Sequence, residues 1–281
     1  MTDDELAEYA RRAIDGEREA LEALVRRIQD PIYGLALRML GNLEDAHDAS
    51  QEALIRVVTR LGTFRGDSRF TTWVYRIAAN TITDLLRKRA RRLDFEQLAA
   101  QLGQPAPDAS EPPRADASVL AKEVYLGCAL GLLACLDDDQ RLAFVLGEVM
   151  ELDHAEASAV QAISEAAHRK RLSRARAALR AFLQPRCSIV NSDAPCRCAH
   201  QVPLNLALGR LRPDALRLAP HPCSAGAELL LDPKIRARAL AAVDGVEKLL
   251  DALELLRHQP DYLAPQTLRR SISDVLASGS S

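Results

Sequence analysis

The stretch FRGDSRFTTWVYRIAANTITDLLRKRARR, residues 64–92, places aromatic side chains beside the densest positive charge of the chain. The chain has five Phe, five Tyr and one Trp, and four of them lie within the first twelve positions of this stretch: Phe64, Phe70, Trp73 and Tyr75. On a helix of about 100° per residue, the apolar side chains from Val74 to Leu85 gather on one side. The pattern therefore predicts an amphipathic helix that starts near residue 70 and ends in the basic cluster Arg87, Lys88, Arg89, Arg91 and Arg92.

A second stripe of this predicted helix lies away from its apolar face. It carries stacking, hydrogen-bonding and charged groups: Trp73, Arg76, Asn80, Asp84, Arg87 and Arg91. The turn before it, residues 65–69, offers backbone N–H groups and polar side chains from Arg65, Asp67 and Ser68. Single-stranded nucleic acid binds such surfaces, because bases stack on aromatic rings for about 1–3 kcal/mol each and cations neutralise phosphates. The alternative is that the aromatic residues belong to the core, which we favour for Phe64 and Tyr75, and that the arginines form a solvated helix end.

A second basic segment, LDHAEASAVQAISEAAHRKRLSRARAALRAFL at 152–183, indicates a helix, a short turn and another helix. Ser164 is a good N-cap for the second helix. Its inner face carries Leu172, Ala175, Leu179 and Phe182, and its outer face carries Ala166, Arg169, Lys170, Ser173 and Arg174. This is the layout of a helix-turn-helix, whose second helix enters the major groove. His168 falls on the apolar side and is interpreted as structural.

The charge distribution agrees with nucleic-acid binding although the net charge is only −2. Both basic segments contain a single acidic residue each over 76–92 and 165–186, namely Asp84 and Glu165. The connector at 94–122 is acidic. Two basic faces separated by an acidic connector are typical of nucleic-acid-binding proteins.

The periodicity predicts an all-α protein with two helical domains and no useful strand pattern. We expect an N-terminal helical bundle at 1–93, a flexible Pro-rich linker at 94–118, a helix-turn-helix domain at 119–183, and an irregular Cys-rich and helical extension at 184–281. Asn42 is predicted to cap a helix that reaches about Leu61. No apolar run is long enough to span a membrane, and the acidic N-terminus lacks an apolar signal segment, so we expect a cytoplasmic protein.

The two basic segments together resemble the extracytoplasmic-function (ECF) group of bacterial RNA polymerase sigma factors. RMLGNLEDAHDASQEALIRVV followed by residues 64–92 resembles conserved region 2, and LDDDQRLAFVLGEVMELDHAEA with the helix-turn-helix resembles region 4. The resemblance covers about residues 5–183. It implies a promoter-specificity subunit that binds core RNA polymerase and promoter DNA and catalyses no reaction itself.

The resemblance also implies a role for each surface. The helix at 43–61 would bind the clamp helices of the β′ subunit through Asp45, Asp48, Gln51 and Glu52. The first basic segment would melt and read the minus-ten element through Arg65, Asp67, Ser68, Trp73, Arg76, Asn80 and Arg87. The second would sit on the β flap and read the minus-thirty-five element through Ala166, Arg169, Lys170, Ser173 and Arg174. An anti-sigma factor is a further candidate partner.

Three positions depart from the family pattern. Ala162 stands at the helix-turn-helix turn where Gly is usual, and a positive φ there would cost Ala about 1 kcal/mol. His168 replaces an apolar residue, and Ser158 stands where Ala is common. From these departures we expect an effect on how tightly the helix-turn-helix binds the minus-thirty-five element, but no change in its identity.

The extension holds most of the cysteines. Cys187, Cys196, Cys198 and His200 lie within fourteen residues, and His221 and Cys223 follow. Thiolate and imidazole groups suit tetrahedral zinc, although C-x₈-C-x-C-x-H is not a standard finger spacing. Three interpretations stay open: a metal site, a redox-sensing thiol cluster, or reduced cysteines without special chemistry. Cys128 and Cys135 lie on an apolar helix and are interpreted as packing residues.

Two other functions compete with a sigma factor. A DNA-binding regulator that does not engage polymerase would have no use for a melting surface. An enzyme built on the Cys/His cluster would need a nucleophile with a base and an orienting group, and the sequence contains no such set.

Overall fold

The computed structural model describes residues 2–88, 93–103, 117–219, 252–257 and 259–268. Eleven α-helices lie within these ranges: α1 Asp3–Ile14, α2 Arg18–Leu40, α3 Leu43–Thr59, α4 Phe70–Arg87, α5 Phe95–Leu102, α6 Ala117–Ala134, α7 Asp138–Phe144, α8 His154–Gln161, α9 Glu165–Leu183, α10 Cys198–Ala207 and α11 Ala252–Arg257. A 3₁₀ turn covers Leu61–Thr63 and a π-helical turn covers Val145–Val149. The described residues contain no β-strand, only an isolated bridge between Cys187 and Cys196, so the all-α prediction is confirmed.

Side-chain caps and glycine determine where the first helices begin and end. Thr2 and Glu5 form a capping box at the start of α1. The Asn42 side chain accepts hydrogen bonds from the Glu44 and Asp45 N–H groups at 2.9 and 3.1 Å, as its position predicted. Between α2 and α3, Gly41 adopts a left-handed φ of 66°, which ends α2 without the steric penalty of a Cβ atom.

The described residues form two compact units that combine distant parts of the chain. The first contains the described residues of 1–91, 137–173 and 261–281, and the second those of 92–136 and 174–260. In the first unit, α2 packs against α1, α3 and α4, and its core includes Leu24, Ile32, Leu54 and Ile82. Each compact unit combines several separate ranges of the chain, so the units do not test the domain boundaries predicted at 93 and 119. Those boundaries stay predictions.

The second unit is built on α6, an apolar helix that packs against α10. Leu120 and Ala121 of α6 form a core cluster with Val202 and Leu211 of the extension, and Cys198 packs against this cluster. The carboxylate of Glu123 accepts hydrogen bonds from the N–H groups of residues 217–219, at 2.8 Å from Arg217 and 3.0 Å from Leu218. Residues 198–219 of the extension are therefore part of the second core.

Two segments differ from the sequence-based expectation. We expected a flexible linker at 94–118, yet α5 occupies 95–102, because Asp94 caps it at 2.7 Å from the Gln97 N–H and Leu98 is buried. Residues 104–116 lie outside the described part of the chain. Helix α10 falls in a segment expected to be irregular, since its packing on α6 compensates for a Pro within it, Pro203. The helical part expected in the extension is represented, within the described residues, by α10, α11 and the helical residues 266–268.

Candidate nucleic-acid and polymerase interface

The turn at 65–69 is held against the start of α4 by a residue that the sequence analysis missed. The Asp3 carboxylate accepts hydrogen bonds from the Phe70 and Thr71 N–H groups at 3.0 and 2.8 Å, so α1 supplies the cap that α4 lacks. Although burial opposes ionisation, these hydrogen bonds and the nearby Arg69 lower the pKa of Asp3. Gly66 has a φ of 80°, which turns the chain before Asp67. No local pattern identifies Asp3, because it lies more than sixty positions from α4.

An aromatic cluster supports Trp73 beside this turn. The ring centroids of Phe64 and Phe70 are 5.1 Å apart in an edge-to-face arrangement, and Trp73 lies 5.6 Å from Phe64 and 5.7 Å from Phe70. Phe70 is fully buried, whereas Phe64 and Trp73 keep part of their surface exposed. Tyr75 is also partly buried, and this burial raises its pKa to about 12. The indole is thus fixed in position while a face of it reaches solvent.

The polar stripe of α4 is exposed. Arg76, Asn80 and Arg87 are open to solvent, as are Arg65 and Asp67 of the turn, while Ser68 is partly buried. Arg91 lies outside the described residues. The helix buries more of its circumference than its apolar pattern predicted, since Thr72 and Ala79 are also buried and α4 packs against α8. The structure therefore brings the predicted minus-ten residues together on one surface.

The outer face of α9 is exposed as well. All five predicted minus-thirty-five residues are open to solvent: Ala166, Arg169, Lys170, Ser173 and Arg174. Arg169 forms a 2.8 Å ion pair with Glu165 one turn earlier, and Ser164 caps the helix by accepting from the Ala167 N–H at 3.2 Å. A basic helix with an open N-terminal half can enter a major groove.

The three departures from the family pattern have physical consequences in the structure. Ala162 adopts φ 53° and ψ 44°, the left-handed conformation that favours Gly. His168 is fully buried, and its Nδ1 lies 2.7 Å from Gln161 Nε2, which agrees with a structural role. Gly147 faces this histidine, since a Cβ built there would lie 3.5 Å from His168 Nε2. Ser158 is buried and donates to the Ala155 carbonyl at 2.9 Å.

Comparison with known proteins identifies the family. Residues 24–92 match sigma-70 region 2, and residues 126–179 match sigma-70 region 4. The RNA polymerase sigma-H factor of Pseudomonas aeruginosa is 32% identical over 191 residues, which cover 66% of this chain and 97% of that protein. The ECF RNA polymerase sigma-E factor of Escherichia coli K12 is 31% identical over 188 residues, 66% of this chain and 96% of that protein. The chain belongs to the ECF group of RNA polymerase sigma factors.

Among solved structures, CnrH in complex with the cytosolic domain of CnrY is 27% identical to this sigma factor. The match covers 65% of this chain and 97% of that chain, with a TM-score of 0.46. No helix in the described residues of this sigma factor is long and apolar enough to cross a membrane.

The predicted polymerase-binding residues of the sigma factor lie along α3. Asp45 and Asp48 are exposed near its start, and Gln51 and Glu52 are partly buried further along. Glu52 pairs with Arg56 at 2.8 Å, and Arg56 also donates to Thr81 Oγ1 at 3.2 Å. Arg56 thus links α3 to α4.

The cysteines of the second unit are close enough to influence one another. Burial raises the pKa of Cys128 well above its ordinary value, and the thiols of Cys198, Cys187 and Cys196 add to that rise. Burial, together with the nearby thiols of Cys187 and Cys196, raises the pKa of Cys198 to about 12. Burial also raises the pKa values of Cys187 and Cys196, and this disfavours the nucleophilic thiolate that the redox-sensing interpretation requires.

The described residues contain no group of three or more His, Cys, Asp or Glu side chains arranged to hold a metal ion. The residues on either side of Cys187 bond to the main chain of Cys196: the Ser188 N–H donates to the Cys196 carbonyl, and the Cys196 N–H donates to the Arg186 carbonyl, both at 3.0 Å. The candidate ligand Cys223, like His221, lies outside the described residues. The zinc interpretation of Cys187, Cys196, Cys198 and His200 therefore gains no support from the described arrangement.

Proposed function

We propose that this sigma factor opens promoters with the surface formed by the turn at 65–69 and the polar stripe of α4. The observation that carries the proposal is the row formed by the partly exposed Trp73 and the exposed Arg76 and Asn80 beside that turn. An indole supported by Phe64 and Phe70 can stack on an unpaired base, while Arg76 can contact a phosphate. Melting then exchanges stacking within DNA for stacking on protein, with no bond made or broken by the sigma factor.

Permanganate footprinting of a promoter tests this role, because it detects unpaired thymines. Sigma factors with Trp73→Ala or Asn80→Ala should bind core polymerase as the parent does. The holoenzymes they form should give weaker footprints at the minus-ten element. Asp84→Asn is the control on the same stripe. Because the Asp84 charge repels phosphate, its removal should not weaken the footprint. Parental footprints with both alanine variants would remove these residues from the DNA site.

The exposed carboxylates of α3 are assigned to the clamp helices of the β′ subunit. Asp45 and Asp48 project from the first two turns of α3, where acidic groups also favour the helix dipole. Asp48→Ala should weaken binding to core polymerase, measured by fluorescence anisotropy of labelled sigma factor. Glu19→Gln, an equally exposed carboxylate on α2, should leave the affinity unchanged.

The exposed face of α9 is assigned to the minus-thirty-five element, with the region 4 domain on the β flap. A base contact from Arg169 or Lys170 would lose about 1–3 kcal/mol of discrimination at one position when the residue is changed to Ala. A phosphate contact would instead weaken all sequences alike and reduce the salt dependence. Arg180→Ala, at the far end of the same helix, separates a local contact from a general loss of charge.

Three finer parts of the proposal rest on family membership. The sigma factor acts as a non-catalytic subunit, and it works in the cytoplasm, where core polymerase transcribes. An anti-sigma factor stays a candidate partner. The alternative of a helix-turn-helix regulator that ignores polymerase predicts promoter binding without any affinity for core enzyme, so a pull-down with core polymerase distinguishes the two.

A further inference from the structure

The C-terminal segment at 261–268 is docked on α2 in the first unit. The Ala264 N–H donates to Asp30 Oδ1 at 2.9 Å, and the Arg38 guanidinium lies 4.8 Å from the centre of the Tyr262 ring. Tyr262 is 1% exposed and Leu268 is fully buried. An amide hydrogen bond, a cation–π contact and two buried apolar side chains hold this segment, which we call the strap.

The second half of α2 needs a cover on more than one side. Every residue from 32 to 40 is buried, although only part of the helix circumference can face α1, α3 and α4. Arg38 is the single charged residue in this run and curls back to donate to the Gly34 carbonyl at 3.1 Å. A Cβ atom at Gly34 would lie 2.8 Å from Arg38 Nη1, so the glycine makes room for this conformation under Tyr262. The sequence of α2 is thus matched to the strap.

The region 4 helices use the same end of α2. Arg141 of α7 donates to the Met39 carbonyl, next to Arg38. Arg69, the residue just before α4, pairs with Glu156 of α8, and α4 packs against α8. Consequently the first unit holds the minus-ten helix in contact with the first helix of the helix-turn-helix.

This packed arrangement cannot read both promoter elements at once. Elements centred at minus ten and minus thirty-five are about 25 base pairs apart, or about 85 Å at 3.4 Å per base pair. Helix α8 contacts α4 and is joined to α9 by a turn of three residues. The contacts between α4 and α8 must therefore separate before both elements are bound.

We propose that the strap is an autoinhibitory element that stabilises this closed form of the first unit by covering α2 beside the region 4 docking site. The inference rests on the proposed promoter-reading roles of α4 and α9. Binding to a two-element promoter is then weakened by the fraction of molecules that are closed. Weakening the strap raises the apparent affinity without changing any residue that contacts DNA or polymerase.

Two full-length variants test the strap. Tyr262→Ala removes the aromatic ring that contacts the Arg38 guanidinium. Asp30→Ala removes the acceptor of the Ala264 N–H hydrogen bond and leaves the buried apolar contacts intact. Gln266→Ala is the matched control, because Gln266 is an exposed side chain of the same segment. We expect faster amide hydrogen exchange in α8 and about fivefold tighter holoenzyme binding to a promoter with both elements for the two strap variants only.

The proposal is wrong if folded Tyr262→Ala and Asp30→Ala variants exchange α8 amides and bind the promoter as Gln266→Ala does. A promoter fragment with the minus-ten element alone separates this failure from that of the proposed function. The strap predicts no gain on that fragment, because reading one element does not require opening. If the parent holoenzyme recognises neither element, the assigned DNA roles fail, while exchange of the α8 amides still reports whether the strap holds the closed form.

Discussion

Helices α4 and α6 are both 18 residues long, yet their sequences make opposite demands on the rest of the protein. One side of α4 is apolar and another is a polar stripe, so the helix can be buried and still present Trp73, Arg76 and Asn80. On α6, buried residues point in nearly all directions around the axis: Leu120, Ala121, Leu126, Ala129, Leu130, Leu132 and Leu133. A helix of the first kind displays a function, whereas one of the second kind requires partners on several sides.

The partner of α6 comes from the extension, which lies beyond the residues that match sigma-70 regions 2 and 4. The apolar pattern of α6 indicated burial but not the covering segment, because α10 is about seventy residues further along the chain and contains Pro203. This difference gives the extension a structural role in addition to any regulatory one. Five predictions test the contrast, beginning with the largest expected effect.

Truncation after Leu183 should remove α10 and expose the apolar side of α6. We expect the second unit to lose more than about 4 kcal/mol of unfolding free energy, since several buried side chains lose their neighbours together. Hydrogen exchange of the α6 amides measures this loss separately from the first unit. Unchanged protection of α6 would show that α10 is dispensable and would end the contrast with α4.

On α4 the buried face should carry the stability. Ile82 is fully buried, and Ile82→Ala should cost about 2–5 kcal/mol of unfolding free energy through lost contacts and a cavity. Chemical denaturation followed by circular dichroism gives the value. A loss below 1 kcal/mol would mean that α4 is held mainly by other contacts, such as its cap from Asp3.

On α6 even a charged residue should matter for stability. Glu123→Gln replaces a carboxylate that accepts from the N–H groups of Arg217, Leu218 and Ala219, and should cost about 1.5–3 kcal/mol. Lys122→Gln, at the neighbouring and more exposed position, is the control. Equal unfolding midpoints for the two variants would contradict the anchoring role of Glu123.

A substitution in the turn between α8 and α9 changes only backbone strain, because it alters neither packing nor charge on α4 or α6. Ala162→Gly removes the steric penalty of a left-handed Ala, which stabilises the fold by about 1–2 kcal/mol. The same change raises the entropy of the unfolded chain, which destabilises the fold by about 0.4–1 kcal/mol. The net expectation is a gain of about 0.5 kcal/mol, measured as a small rise in the unfolding midpoint. Destabilisation would mean that the Ala162 methyl group makes contacts that outweigh its backbone strain.

The polar stripe of α4 should be nearly neutral for stability. Arg76 is exposed, so Arg76→Ala should change the unfolding free energy by less than about 0.5 kcal/mol while it weakens promoter binding. Thermal unfolding and promoter anisotropy on the same preparation separate the two effects. A loss of stability as large as that of Ile82→Ala would mean that the polar stripe stabilises the fold as much as the buried face does.

Features that depend on neighbours within a few turns of helix could be predicted from the amino-acid sequence. The periodicity of α4 identified its apolar face and polar stripe, Asn42 and Ser164 identified helix starts, and Ala162 marked a strained turn, because each rests on local backbone geometry. The co-linear match to regions 2 and 4 of sigma-70 made the family recognisable before any contact was known.

Contacts between residues far apart in the chain became visible only in the folded protein. Asp3 caps α4, Glu123 binds the backbone at 217–219, and Tyr262 covers Arg38, and none of these pairs leaves a periodic signal in the sequence. The Pro-containing α10 likewise owes its existence to packing that outweighs its local preference, whereas the helix at 95–102 begins at a local cap, Asp94, within a segment that was expected to be a linker. Local propensity is read over a few residues, whereas burial depends on which distant segments fold back onto a helix, and for α2 and α6 those segments lie in the extension.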